Sequence, residues 1–413
     1  MIRRETIYHA RSDPDFADFR QVRDECHQPG GGSMDPANDC WWEDFRRRMP
    51  VAARWAYFDH AGVSPLSGPA ADVLHEWTAD TAENGVAGWT RWRGEVEQCR
   101  RLGAELLGAH ADELALIRNT TEGIGLVAEG FPWQPGDNVV VPDCEFPSNL
   151  YPWRNLESRG VEVRLLPALD ERLDLDRLDE ACDSRTRVVA VSWVGYATGW
   201  RNDVAALADI AHRRGALLFL DAIQGLGVFP LDVSRTPVDF LAADGHKWLL
   251  GPEGAGLFYL RREHLDRLRP LGVGWNSVRH SGDFTNTAYD LKSSADRYEG
   301  GTHNMAGFAA LAASLRLLLE IGVERLSERL LDVTDRLCDR LRQVGAQVAS
   351  CRDGERWSGI VAFTLAGRDP VETKKRCRHA GVVLNARAGR LRASPHVYTS
   401  AEDIERLLEA MQA

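Results

Sequence analysis

The chain has 413 residues, 44% of them hydrophobic, which is more than one core usually accommodates, so two domains are expected. Its 50 basic and 61 acidic residues leave a net charge of −11 without any Lys/Arg-rich run, which argues against a nucleic-acid or anionic-membrane partner. No apolar stretch approaches the length of a membrane span, the N-terminus lacks the apolar core of a signal peptide, and the eight cysteines form no CxxC pair; a soluble cytoplasmic protein without a disulfide framework or zinc site is expected.

Residues 1–33 end in His27-Gln28-Pro29-Gly30-Gly31-Gly32-Ser33. They read as a flexible appendage, because a glycine run loses too much backbone entropy to pack. Met34 follows at once and is a second candidate for the start of translation. Globular texture begins at Trp41. A large domain is expected over 34–295, its first segment a candidate to pack with a small C-terminal domain over 296–413.

Short apolar runs occur at 114–117, 139–141, 161–166, 188–194, 217–220, 240–243 and 257–260. Several are apolar on both faces, as strands between two helical layers must be. Helix-like spacing separates them at 149–158 and 204–213. This alternation predicts an α/β fold with a mostly parallel central sheet, which binds ligands at the carboxyl ends of its strands. Beyond residue 300 the spacing predicts helices over 305–321, 323–344 and 401–411, with short strands at 359–364 and 381–384.

Charged residues at the expected strand ends carry the chemistry. Asp221 follows five apolar residues, where a carboxylate is costly unless a cation meets it. A protonated pyridine nitrogen would meet it and remain an electron sink, and Gln224 could reach the phenolic oxygen of the same ring. Lys247, in Gly245-His246-Lys247 after the next strand, is placed for a Schiff base, and its partial burial would lower its pKa for attack. His246 could bond a cofactor phosphate. Thr120 and Thr121 stand at a strand-to-helix turn, whose free N–H groups and dipole suit an anion, although a threonine N-cap with Glu122 behind it accounts for the same residues. Phe146 could stack on the ring or fill the core.

Taken together and in this order, the segments resemble fold-type I pyridoxal-phosphate (PLP) enzymes of aminotransferase class V, the group of cysteine desulfurases, selenocysteine lyases and isopenicillin-N-epimerase-like proteins. The resemblance covers roughly residues 55–410. It rests on Tyr57-Phe58-Asp59-His60-Ala61-Gly62, Thr120-Thr121-Glu122, Glu145-Phe146, Asp221-Ala222-Ile223-Gln224, Gly245-His246-Lys247, Tyr298-Glu299-Gly300-Gly301-Thr302 and Leu391-Arg392-Ala393-Ser394. It implies that Thr120, Thr121 and His246 bind the PLP phosphate, that Phe146 stacks on the ring where desulfurases usually have histidine, and that Lys247 carries the cofactor. Asp221 would pair with the pyridine nitrogen and Gln224 with the ring hydroxyl. Arg392 would grip the α-carboxylate of an amino-acid substrate, bordered by Ala61 and Gly62. Thr302 would reach the phosphate of a neighbouring subunit, which implies a homodimer with shared active sites.

Two departures from the family matter. Asp244 stands where the family often has Ser or Thr, and a carboxylate there must point away from the phosphate or accept a proton or cation. Desulfurases carry a persulfide-forming cysteine on a mobile loop before the carboxylate-binding arginine. Here only Asn385-Ala386-Arg387-Ala388-Gly389-Arg390 precedes Leu391, and Cys377 upstream reads as a packing residue. The expected activity is therefore PLP-dependent removal of a Cα proton by Lys247, leading to C–S lyase or epimerase chemistry without an enzyme persulfide. Transamination, cysteine desulfuration and a non-catalytic PLP-binding protein stay open, since one scaffold hosts all of them.

Overall fold

Runs such as Val139-Val140-Val141 and Leu218-Phe219-Leu220 have no polar face to offer solvent, and the fold gives them none. In the computed structural model, which describes residues 40–412, they form interior strands of a seven-stranded sheet. The appendage expected over 1–33 and the alternative start at Met34 lie outside the described residues.

The first elements are α1 (Trp41–Arg47), β1 (Ala56–Tyr57), α2 (Gly68–Asn84) and α3 (Trp89–Leu107). The sheet region follows with β2 (Leu114–Ile117), α4 (Thr120–Gly130), β3 (Asn138–Pro142), α5 (Tyr151–Arg154), β4 (Glu162–Leu166), α6 (Leu175–Ala181) and β5 (Thr186–Ser192). It continues through α7 (Val204–Arg213), β6 (Leu217–Asp221), β7 (Phe240–Asp244) and β8 (Gly256–Leu260). The last third holds α8 (Met305–Ile321), α9 (Val323–Gln343), β9 (Gln347–Val348), β10 (Val361–Thr364), α10 (Pro370–His379), β11 (Val382–Val383), β12 (Asn385–Arg387), β13 (Arg390–Ala393) and α11 (Ala401–Gln412).

The large sheet has the order β2-β8-β7-β6-β5-β3-β4. It is parallel except for β8, which runs antiparallel to both its neighbours. The mostly parallel sheet expected from the sequence is present, and every apolar run in 114–260 is one of its strands. Only β4 is largely solvated, as an edge strand. The helix expected over 149–158 is reduced to the single turn α5 between two 3₁₀ segments. Pro147 and Pro152 stand in the first turns of their segments, where a missing N–H is tolerated.

A second sheet, β12-β13-β10-β9, lies in the last third of the chain. β1 pairs in parallel with β11, and Asp59 bridges Ser394, so the first segment packs with this C-terminal sheet. The boundary expected at 296 falls before α8, yet α8 packs on α2 and α3 of the earlier region. No single helix among the described residues is long and apolar enough to cross a membrane.

Candidate active site

The register of the large sheet sets Ser192 of β5 beside Asp221 of β6, and Asp221 beside Ala242 of β7. Their carboxyl ends, the start of α4 and the β12–β13 hairpin surround one cavity of about 200 Å³. Asp221, Gln224, His246 and Lys247 line it, as do Thr120, Thr121 and Phe146. So do Ala61, Gly62 and Arg392, which come from chain ends more than 300 residues apart. Thr302, in contrast, is exposed and does not line this cavity.

Burial governs the charge states here. Desolvation lowers the Lys247 ammonium to a pKa of about 8, against the pull of Asp221 and with some help from Arg392. Desolvation also raises Asp221 to about 6, opposed by the Ile223 N–H and Lys247. One Asp221 oxygen accepts that N–H at 3.1 Å. Gln224 is fixed at both ends: its Nε2 donates to the Ala61 carbonyl at 3.0 Å and its Oε1 accepts from Trp248 Nε1 at 2.9 Å. Phe146 is 43% exposed, which rules out the core alternative for it. It meets Tyr196 edge-to-face at 5.3 Å, and Lys247 Nζ stands 5.8 Å from its ring centre.

At the other side of the cavity, Asn119 caps α4 by accepting the Glu122 N–H. Thr120 Oγ1 accepts the Asp244 N–H at 3.0 Å, and Thr121 Oγ1 donates to Ser148 Oγ at 2.9 Å. Asp244, the residue out of pattern, accepts the Gly245 N–H, and its other oxygen lies 2.8 Å from His246 Nδ1. That approach is too oblique for a hydrogen bond, and Nδ1 is otherwise unsatisfied. Below Phe146, burial pushes Glu145 up to about 8, while it accepts the Ser192 N–H at 2.6 Å.

Arg392 is buried. Its Nη1 donates to the Tyr196 carbonyl at 2.6 Å, its Nη2 to Asp59 Oδ1 at 3.2 Å, and its Nε–H has no partner. Asn385 holds the second Asp59 oxygen at 2.8 Å. Gly62 sits against this carboxylate so closely that a Cβ there would come within 2.7 Å of it. The segment expected as a short loop over 385–390 is a β-hairpin closed by Ala388 and Gly389, at φ 48° and 73°. Two successive left-handed residues are what a two-residue type I′ connection requires, and glycine takes one of them without steric cost.

No cysteine among the described residues lines this cavity. Cys377 packs in the C-terminal core, as its helical setting implied. Cys144 borders an adjoining cleft that shares Ser192 and Tyr196 with the main cavity, and burial followed by the neighbouring carboxylates Glu145, Glu171 and Asp143 pushes its thiol up to about 12. Tyr196, Ser192, Val194 and Arg387 also line the main cavity and were not expected there. For Ser192 a signal existed, since it ends a strand of the parallel sheet.

The aminotransferase class-V family model matches residues 56–407, and the chain belongs to that family of PLP-dependent, fold-type I enzymes. Among curated relatives, a probable cysteine desulfurase of Methanothermobacter thermautotrophicus is 32% identical, over 90% of this chain and 97% of that protein. The apo structure of the cysteine desulfurase of Thermococcus onnurineus NA1 superposes with a TM-score of 0.82 at 28% identity, over 90% of this chain and 97% of that one. A lysine-to-alanine variant of C-DES, with glycine covalently linked to its PLP cofactor, gives a TM-score of 0.83 at 25% identity, over 89% and 98% of the two chains.

Proposed function

We propose that this enzyme cleaves the Cβ–S bond of a cysteine-class amino acid, with Lys247 as the proton-transfer group and without a persulfide on the protein. The observation that carries this reading is the composition of one cavity, in which Lys247, Asp221 and Arg392 face each other and no described cysteine is present. The names of the relatives support the cysteine-class substrate.

The residues fit PLP on the evidence of their unused valences. The Asp221 oxygen not engaged by Ile223 is free for a ring N–H, and burial has made its charge costly until a cation arrives. The N-terminus of α4 offers N–H groups and the Thr120 hydroxyl to a phosphate. Bound PLP supplies the electron sink that makes the substrate Cα–H acidic. Lys247 takes that proton, the sulfur leaves with the bonding pair of Cβ–S, and the three-carbon remnant adds water to leave as pyruvate and ammonia. Arg392 orients the α-carboxylate through its unpaired Nε–H and an adjacent Nη, a fork that lysine could not reproduce. Asp59 and the Tyr196 carbonyl hold the guanidinium in place.

The lowered Lys247 pKa has a measurable sign. The amine must be unprotonated to attack PLP, so the rate at which apoenzyme captures the cofactor should rise with pH through a midpoint near 8. At neutral pH about a tenth of the amine is then reactive, against a few parts in ten thousand for an ordinary lysine. A midpoint near 10.5, followed by stopped-flow absorbance, would remove the assigned environment.

A second reading, persulfide-forming desulfuration, is favoured by the relatives' names. It requires a reactive thiol at the substrate sulfur, and the protonated Cys144 and buried Cys377 are poor candidates. After one turnover on cysteine, intact-protein mass spectrometry should find no added sulfur, and Cys144→Ala and Cys377→Ala should keep full activity. One extra sulfur on any cysteine, with loss of turnover on replacing it, would decide for the desulfurase.

A further inference from the structure

Gln224 and Trp248 are both buried, and the contact between amide and indole runs in only one direction. The Ala61 carbonyl can only accept, so the Gln224 atom 3.0 Å from it is the amide nitrogen. The indole N–H can only donate, so the Gln224 atom 2.9 Å from it is the amide oxygen. One amide N–H and one lone pair of the oxygen remain, and Gln224 lines the cavity that receives them. The indole is itself held in place. His60 and His396 stack on it at 6.0 and 5.9 Å, and its benzo edge lies against Gly359 with no room there for a Cβ. Burial lowers His60 to a pKa of about 4, and its Nδ1 donates to the Ser394 carbonyl at 2.9 Å, so this support is uncharged at neutral pH.

We infer that Trp248 is a positioning residue that acts through Gln224: by occupying the amide oxygen it commits the amide to donate, and so holds the ring oxygen of PLP ionised. With Trp248 in place, the spare N–H of Gln224 needs an acceptor, and a ring oxygen without its proton is a stronger one than a hydroxyl. The proton that oxygen gives up then rests on the nitrogen joining Lys247 to the cofactor, which is the yellow form of bound PLP and the better electron sink. Without the indole, the Gln224 oxygen is buried and unsatisfied, and a protonated ring hydroxyl would satisfy it. Trp248 thus sets where one proton sits without touching the cofactor ring through its own N–H. The inference rests on the assignment of Gln224 to the ring hydroxyl and on no particular fate of the substrate, so it stands apart from the C–S lyase reading.

The test reads the absorbance of the PLP-loaded protein, without substrate, in wild type, Trp248→Phe, Trp248→His, Gln224→Met and the double variant Trp248→Phe with Gln224→Met. Trp248→Phe should keep PLP and lower the ratio of the yellow band to the near-ultraviolet band about three- to tenfold, the worth of one hydrogen bond. Trp248→His, which keeps a ring N–H, should recover part of that loss. In the Gln224→Met background, Trp248→Phe should change the ratio by less than about twofold, because a residue that acts through the amide has nothing left to act on. A packing defect would add its effect in full. An unchanged ratio in Trp248→Phe, an equal fall with and without Gln224, or loss of PLP from both position-248 variants would overturn the inference. A wild-type ratio in Gln224→Met would remove Gln224 from the ring hydroxyl, and the inference with it. None of these outcomes bears on the lyase reading, which pyruvate from a cysteine-class substrate decides separately.

Discussion

Lys247→Ala should fold, should bind PLP only reversibly, and should lose turnover by on the order of 10²- to 10⁴-fold or more. Lys247 is the amine in the cavity, Arg392 stays charged, and Phe146 carries no titratable group. Borohydride reduction followed by peptide mapping provides the check. Wild-type protein should be yellow and should give one labelled peptide containing Lys247, and the variant should give none. Label on a different lysine, or wild-type turnover in the variant, would refute the assignment.

Asp221→Ala should nearly abolish chemistry while sparing the fold. The lost charge-assisted contact is roughly 1.5–3 kcal/mol in the ground state, and the deficit grows as charge develops on the ring. The stability half of the expectation follows from the sign of the shift. A carboxyl held near 6 in the fold and near 3.8 when unfolded penalises the folded state as pH rises from about 4, and the penalty is fully present above 6. The apoprotein of Asp221→Ala should therefore melt no lower than wild type at neutral pH. A variant that binds PLP and turns over normally would remove Asp221 from the mechanism.

Much of this could be read before any coordinates. A run such as Ala216 to Leu220 ending in Asp221 is conspicuous, because five apolar residues announce a buried strand and the charge marks where it leaves the sheet. Lys247 and His246 stand out for the same reason after β7. The helices α8 and α9 were legible from their length and spacing. What sequence could not supply was lateral order. Tyr196 and Val194 reach the cavity only because β5 lies beside β6, and nothing local in Val194-Gly195-Tyr196 says so. Short strands failed for a different reason: β1, β9 and β12 are two or three residues long, too short for an alternation to be seen. Arg387 looked like part of a loop until its register with Arg390 gave it a face. Asp244, which seemed to clash with a phosphate, has its carboxylate engaged by the Gly245 N–H and set against His246.

The ion pair between Asp59 and Arg392 joins positions 333 residues apart. The cavity-lining groups assigned to the cofactor all lie between Asn119 and Lys247, on strands and turns of the large sheet. Arg392, proposed for the substrate's α-carboxylate, stands on a hairpin of the other sheet, steadied by Asp59 of the first segment. The reagent and the selector are thus separate parts of the molecule, joined by buried bonds such as Arg392 Nη1 to the Tyr196 carbonyl and Gln224 Nε2 to the Ala61 carbonyl. Changes in the hairpin can redraw the range of accepted amino acids while the machinery that activates them stays as it is, a division that lets one scaffold diversify by exchanging its lip.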